Sequence, residues 1–98
     1  MWILHTPDSE AGPVTFRVSG GVKTVGRAPR ADFILDAALV SRLHCRLEAD
    51  GETLLVVDLD STNGTFVNDK RVERARLASG DRLRIGRVEL TVERALNA

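Results

Sequence analysis

Apolar and polar positions alternate with a period of two along much of this chain. Phe16 and Val18 fall on one face of a segment, with Thr15 and Arg17 on the other. Cys45, Leu47 and Ala49 alternate with Arg46 and Glu48. Leu83 and Ile85 alternate with Arg82 and Arg84, and Val88, Leu90 and Val92 with Glu89, Thr91 and Glu93. This period marks strands with one face in a core and one in water. Thr53 to Leu59 is nearly continuous apolar instead, which predicts a strand buried on both faces. Shorter strands are expected at Met1 to His5, Val22 to Val25 and Phe33 to Leu35. No helical period persists, and Glu73 to Ala78, the one run of good helix formers, is short.

Turn signals separate these segments. Thr6 to Pro13 holds two prolines and a glycine and reads as a loop, as does Ala28-Pro29-Arg30-Ala31. Ser19-Gly20-Gly21, Asp50-Gly51, Asn68-Asp69, Ser79-Gly80-Asp81 and Gly86-Arg87 read as tight turns. Many short strands with a turn roughly every 8 to 12 residues predict an all-β sandwich or barrel.

Composition narrows the picture. Ninety-eight residues make one domain, with 43% hydrophobic and 29% charged content as in ordinary globular proteins. Such a chain buries roughly 65% of its unfolded surface, enough for one core without staples. The formal net charge is zero, which argues against nucleic-acid binding. The basic residues are mostly arginine, Lys23 and Lys70 being the lysines, and arginine suits a bidentate grip on phosphate or carboxylate. Cys45 is the single cysteine, so no internal disulfide forms. There is no signal-peptide pattern and no apolar run of membrane-spanning length, so the default expectation is a cytoplasmic location without membrane insertion. Met1 suggests a native start, and the end at Glu93 to Ala98 carries no stop feature.

The densest polar chemistry lies in Leu59 to Asn68, where Ser61, Thr62, Asn63 and Gly64 sit between two apolar runs. Taken alone, Asn63-Gly64 reads as a hairpin turn with positive φ. The same residues also offer hydroxyls and an amide, held by two strands, as a binding loop requires. Arg27 ends one strand and Ser41-Arg42 precedes another, so three loops carry polar groups that a sandwich can gather at one end.

Gly26-Arg27, Ser41-Arg42-Leu43-His44, Asp58 with Ser61 to Asn68, Gly80-Asp81 and Ile85-Gly86 together resemble the forkhead-associated (FHA) domain. The motifs stand in the family's order and span Gly26 to Gly86; with flanking strands, the resemblance covers 1–98. It implies a β-sandwich of two antiparallel or mixed sheets with about eleven short strands. It also implies a phosphothreonine-peptide-binding module that docks partners marked by a Ser/Thr kinase. Arg27 and Ser41 match phosphate-gripping positions, and Arg42 and Thr62 match neighbours that help hold phosphate. Asn63 matches the residue that bonds the peptide backbone. Gly26, His44 and Gly64 match positions that shape the site. No cofactor or metal is implied.

Two departures stand out. Asp69 occupies a turn position where the family often has glycine, so mild strain is expected there. Leu39, two before Ser41, stands where some members carry an arginine that selects an acidic residue three after the phosphothreonine; an apolar preference is expected instead. Competing readings remain for several residues. Arg42 can form a surface ion pair with Asp36 or Asp60. Ser41, His44 and Asp58 can be drawn as a hydrolytic triad, but no nucleophile elbow or oxyanion loop accompanies them, and the chain is not expected to be an enzyme. His44 is expected to be buried and bonded to loop backbone, Cys45 to be a core residue, and Trp2 to pack on the sandwich. His5, His44 and Cys45 lack metal-ligand spacing. The alternative function is a phospho-independent scaffold for interaction or oligomerisation.

Overall fold

A computed structural model describes residues 1–95; residues 96–98, and with them half of the chain end discussed above, lie outside the described residues. Eleven strands run in order: β1 (Trp2–Thr6), β2 (Val14–Val18), β3 (Gly21–Gly26), β4 (Phe33–Ile34), β5 (Cys45–Asp50), β6 (Thr53–Asp58), β7 (Thr65–Val67), β8 (Lys70–Val72), β9 (Arg74–Leu77), β10 (Arg82–Ile85) and β11 (Val88–Arg94). They form a six-stranded sheet, β2-β1-β11-β10-β7-β8, and a five-stranded sheet, β4-β3-β5-β6-β9. Among the assigned pairs only β3 with β4 is parallel. The expected all-β sandwich is present, with an antiparallel six-stranded sheet and a mixed five-stranded one, and no helix among the described residues is long and apolar enough to cross a membrane.

The alternating positions face inward as their period dictates. Leu4, Val18, Leu83, Ile85 and Leu90 from one sheet meet Val25, Cys45, Leu47, Leu54 and Val56 from the other, all buried. Each fully buried aliphatic side chain contributes about 1.5–3 kcal/mol. Cys45 is a core residue as expected, and burial pushes its thiol pKa up, which removes it from nucleophilic chemistry. Trp2 is 4% exposed within the same core. Phe16 of β2 stacks on Phe33 of β4 with ring centroids 4.7 Å apart, closing one edge of the sandwich.

Two expectations are corrected. In β6, Leu54 and Val56 are buried but Leu55 and Val57 are half-buried, so this strand has one core face rather than two. Within Glu73 to Ala78, the run of helix formers that is short for a helix, Arg74–Leu77 is a strand that pairs with β6, because ladder hydrogen bonds outweigh a weak helical preference in four residues. The stretch around Asn63-Gly64 is not a hairpin. β6 pairs with β5 and β9 whereas β7 pairs with β10 and β8, so the Leu59–Gly64 segment carries the chain from one sheet to the other.

Genuine hairpins lie elsewhere. Asn68-Asp69 closes β7 to β8 with φ of 50° and 70°, as a type I′ loop requires. Two left-handed non-glycine residues carry the strain anticipated at Asp69. Asn68 offsets it: its Oδ1 accepts from the Arg82 backbone N–H at 2.9 Å and its Nδ2 donates to Asp81 at 3.0 Å.

Candidate functional site

The site is built at one end of the sandwich by the turn after β3, the long connection from β4 to β5 and the crossover from β6 to β7. Gly26 ends β3 under the second of these. A Cβ on Gly26 would lie 2.0 Å from the Arg42 carbonyl oxygen and 2.9 Å from Leu43 Cα, so only glycine lets that segment pass. The approach is fixed by backbone hydrogen bonds from Arg27 N–H to Ser41 O (3.0 Å) and Ala28 N–H to Arg42 O (3.1 Å).

His44 joins this segment to the crossover. It is fully buried. Its Nδ1 accepts from the Ser41 backbone N–H at 3.0 Å, which leaves the ring proton on Nε2 to donate to Gly64 O at 2.8 Å. The backbone therefore sets the tautomer. Because both ring nitrogens bond backbone, His44 is not placed to take a proton from the Ser41 hydroxyl.

Asp58, at the end of β6, organises the crossover. One oxygen accepts from the Ser61 and Thr65 hydroxyls, both at 2.6 Å, and the other from the Ser61 N–H at 3.1 Å. Ser61 Oγ in turn accepts from Gly64 N–H at 3.0 Å. Burial opposes ionisation of Asp58, but these hydrogen bonds outweigh it and hold the carboxyl below the usual carboxylate range. Asp58 thus serves the loop, and Ser41, His44 and Asp58 form no proton relay. Positive φ falls at Asp60 (60°) and Gly64 (90°), flanking Asn63 rather than residing on it. A Cβ on Gly64 would come within 2.8 Å of Arg71 Nε.

These frames surround a cleft of about 530 Å³ lined by Arg27, Asp36, Ala37, Ala38, Leu39, Val40, Ser41, Thr62 and Asn63. Arg27 Nε donates to Val40 O at 3.1 Å, which holds the guanidinium at the rim with its terminal nitrogens available. Ser41 Oγ accepts from Thr62 N–H at 3.1 Å, leaving the hydroxyl proton to donate. Asn63 Nδ2 donates to Leu39 O at 3.1 Å, while its Oδ1 and second N–H have no partner among the described residues. A guanidinium, a hydroxyl donor and a half-used amide thus converge on one opening, a set suited to a doubly charged oxyanion attached to an extended chain.

Of the residues singled out by sequence, Arg27, Leu39, Ser41, Thr62 and Asn63 line this cleft, while Gly26, His44 and Gly64 lie beneath or behind it. Arg42 lies instead in an adjoining recess that shares Arg27. It pairs with neither Asp36 nor Asp60, so the ion-pair alternative does not hold.

Two supports were not evident from sequence. Leu39 is left-handed (φ 68°), an arrangement costing roughly 1–3 kcal/mol that aims its carbonyl at Asn63. Gly86, in the β10–β11 turn, seats that loop: a Cβ there would lie 2.9 Å from Ala38 O and 3.0 Å from Val40 Cγ2. The glycine was visible as a turn residue, but nothing local connects it with residues so far back in the chain.

Comparison with known proteins gives this end-loop architecture a family. The FHA domain family model matches residues 23–86, and the chain belongs to the FHA domain family. It is 41% identical over 78 residues to the FHA domain-containing protein FhaA of Mycobacterium tuberculosis, covering 80% of this chain and 15% of FhaA. It is 43% identical over 67 residues to the glycogen accumulation regulator GarA of Mycolicibacterium smegmatis, covering 68% of this chain and 42% of GarA. The chain thus spans less than half the length of either relative. Its fold superposes with a TM-score of 0.87 on a domain solved in a structural and functional analysis of phosphothreonine-dependent FHA domain interactions, at 35% identity, covering 99% of this chain and 100% of that one.

Proposed function

We propose that this domain binds a phosphothreonine-bearing segment of a partner protein and so docks proteins marked by a Ser/Thr kinase. The observation that carries the reading is the convergence of Arg27, Ser41, Thr62 and Asn63 on one cleft. On this reading Arg27 and Ser41 grip the phosphate, Thr62 borders it, and Arg42 adds positive charge from the adjoining recess. A phosphothreonine carries about −1.5 to −2 charges and three acceptor oxygens, which a guanidinium and a hydroxyl answer with charge-assisted hydrogen bonds. Asn63 bonds the peptide main chain through its unused amide groups. Gly26, His44 and Gly64 hold the loops in place, and Leu39 borders the residues that follow the phosphothreonine.

The cleft's apolar lining of Ala37, Ala38 and Val40 offers contact to a threonine methyl group that phosphoserine lacks. The similarity to a domain from work on phosphothreonine-dependent FHA interactions supports the same reading. The module performs no chemistry of its own: His44 is engaged by backbone and Cys45 is buried. Function in the cytoplasm, where kinases act, belongs to this proposal.

Fluorescence anisotropy with a degenerate peptide library in phosphothreonine, phosphoserine and unmodified threonine forms is the test. Binding confined to the phosphothreonine form is expected. Equal binding to all three forms would replace this reading with a phospho-independent scaffold.

A further inference from the structure

The recess beside the cleft extends beyond the grip just described, to which it adds only the charge of Arg42. It encloses about 550 Å³ and is lined by Arg27, Ala28, Pro29, Arg30 and Arg42. Three arginines therefore border one concavity, and no acidic residue lines it. Of the other arginines, Arg46 pairs with Glu48, Arg82 with Asp69 and Arg94 with Glu52, and the rest have no acidic partner among the described residues. None of Arg27, Arg30 and Arg42 has an acidic partner among the described residues. In a chain of zero net charge, this is a local concentration of positive charge without an internal counter-ion.

The recess is built on a tethered turn. Ala31 N–H donates to Ala28 O at 3.0 Å, closing a four-residue turn with Pro29 in its second position, where a fixed φ is favoured. Ala31 is buried, and Ala28 N–H holds the turn against Arg42 O. Arg30 thus stands on an anchored backbone and lines the same recess as Arg42.

Resting on the phosphothreonine reading, we propose that Arg30 and Arg42 form a second anion subsite, which takes a further negatively charged group on the same partner segment. Arginine favours phosphate and carboxylate alike through its planar fork, so either a second phosphorylated side chain or an acidic one supplies the chemistry. Arg27 lies between the two openings and couples them. The domain then reads a pair of charges at a set spacing rather than a single mark, and its partner is a segment with clustered acidic or phosphorylated positions.

The test uses phosphothreonine peptides carrying a second phosphothreonine, a glutamate or an alanine, scanned up to about four residues to either side, a reach of roughly 14 Å. Anisotropy is measured on the unaltered protein, Arg30→Ala and Arg30→Glu. Arg30 does not line the cleft, so Arg30→Ala is expected to bind the singly charged peptide within about threefold of the unaltered protein. A second anion at one favoured spacing is expected to tighten binding by about tenfold in the unaltered protein, a gain lost in Arg30→Ala and reversed in Arg30→Glu. A gain with the second phosphate alone identifies a doubly phosphorylated partner, and an equal gain with glutamate identifies an acidic one. A gain that survives in both variants, or no gain at any spacing, overturns the subsite while the phosphothreonine reading stands. If the singly phosphorylated peptide itself fails to bind, that reading falls and the subsite with it.

Discussion

Asn63 and Asn68 stand on either side of the short strand β7, and their side chains do opposite things. The amide of Asn68 is occupied at both ends, with Arg82 N–H on its oxygen and Asp81 on its nitrogen. It closes a hairpin, with both its oxygen and its nitrogen bonded within the fold. Asn63 gives one N–H to Leu39 O and keeps its carbonyl and second N–H in an open cleft. Both are exposed asparagines beside turns, so residue type and location do not separate them. The difference is whether the fold consumes the hydrogen-bonding capacity or leaves some of it aimed at solvent. Arg27 follows Asn63, with one nitrogen fixed and the others available, whereas Asp58 follows Asn68, with both oxygens engaged.

Four experiments press on that contrast. The largest effect is expected from Arg27→Ala, which should cost roughly 2–5 kcal/mol of phosphopeptide binding, as truncating one partner of a charged pair does. Its melting temperature should scarcely change, and a loss of less than tenfold in affinity would remove Arg27 from the main grip. Gly26→Ala should act through the fold instead. The new methyl group meets the Arg42 carbonyl, and a destabilisation of about 1–3 kcal/mol in urea unfolding is expected, with binding lost as the loop moves.

The asparagine pair gives a direct exchange of phenotypes. Asn63→Ala should weaken binding by about 1–2 kcal/mol with a smaller change in stability, and Asn68→Ala should lower stability by about 1–2 kcal/mol and leave binding intact. Matching phenotypes for the two would erase the distinction drawn here.

The smallest effect is a pH dependence. The folded-state pKa of Asp58 is depressed, so its contribution to stability is full above the unfolded carboxylate value of about 3.9 and fades as pH falls through the folded value. Asp58→Asn should therefore be less stable than the unaltered protein near neutrality, with the gap closing in acid. A gap independent of pH would mean that the carboxylate charge is not what holds the crossover.

Much of this molecule was legible in its residues. Alternation at Cys45–Asp50, Arg82–Ile85 and Val88–Arg94 announces strands because a half-buried sheet imposes period two on whatever sequence forms it. The loop residues were legible as a set because their order and spacing match a family pattern, and the structure brings Arg27, Ser41, Thr62 and Asn63 together. What escaped depends on contacts remote in sequence. Whether Ser61–Gly64 turns a hairpin or crosses between sheets depends on which strands β6 and β7 choose as partners. Arg74–Leu77 became a strand because β6 offered it an edge. A left-handed Leu39 has no local signature, since leucine does not favour positive φ and is held there by Asn63 and the seat at Gly86. Arg30 resembled any loop arginine until its turn was folded beside Arg42.

Gly86 belongs to the six-stranded sheet, yet it abuts the loop between β4 and β5 of the five-stranded one. The cleft is lined by loops of the five-stranded sheet and by the crossover, and the six-stranded sheet braces that lining from behind through Gly86. A molecule gripping Arg27, Ser41 and Asn63 together ties the turn after β3, the connection into β5 and the crossover to one another. Occupancy lowers the free energy of the closed sandwich by mass action. Its imprint should reach amide hydrogens deep in β10 and β11 as slower exchange with solvent, far from any atom the partner touches.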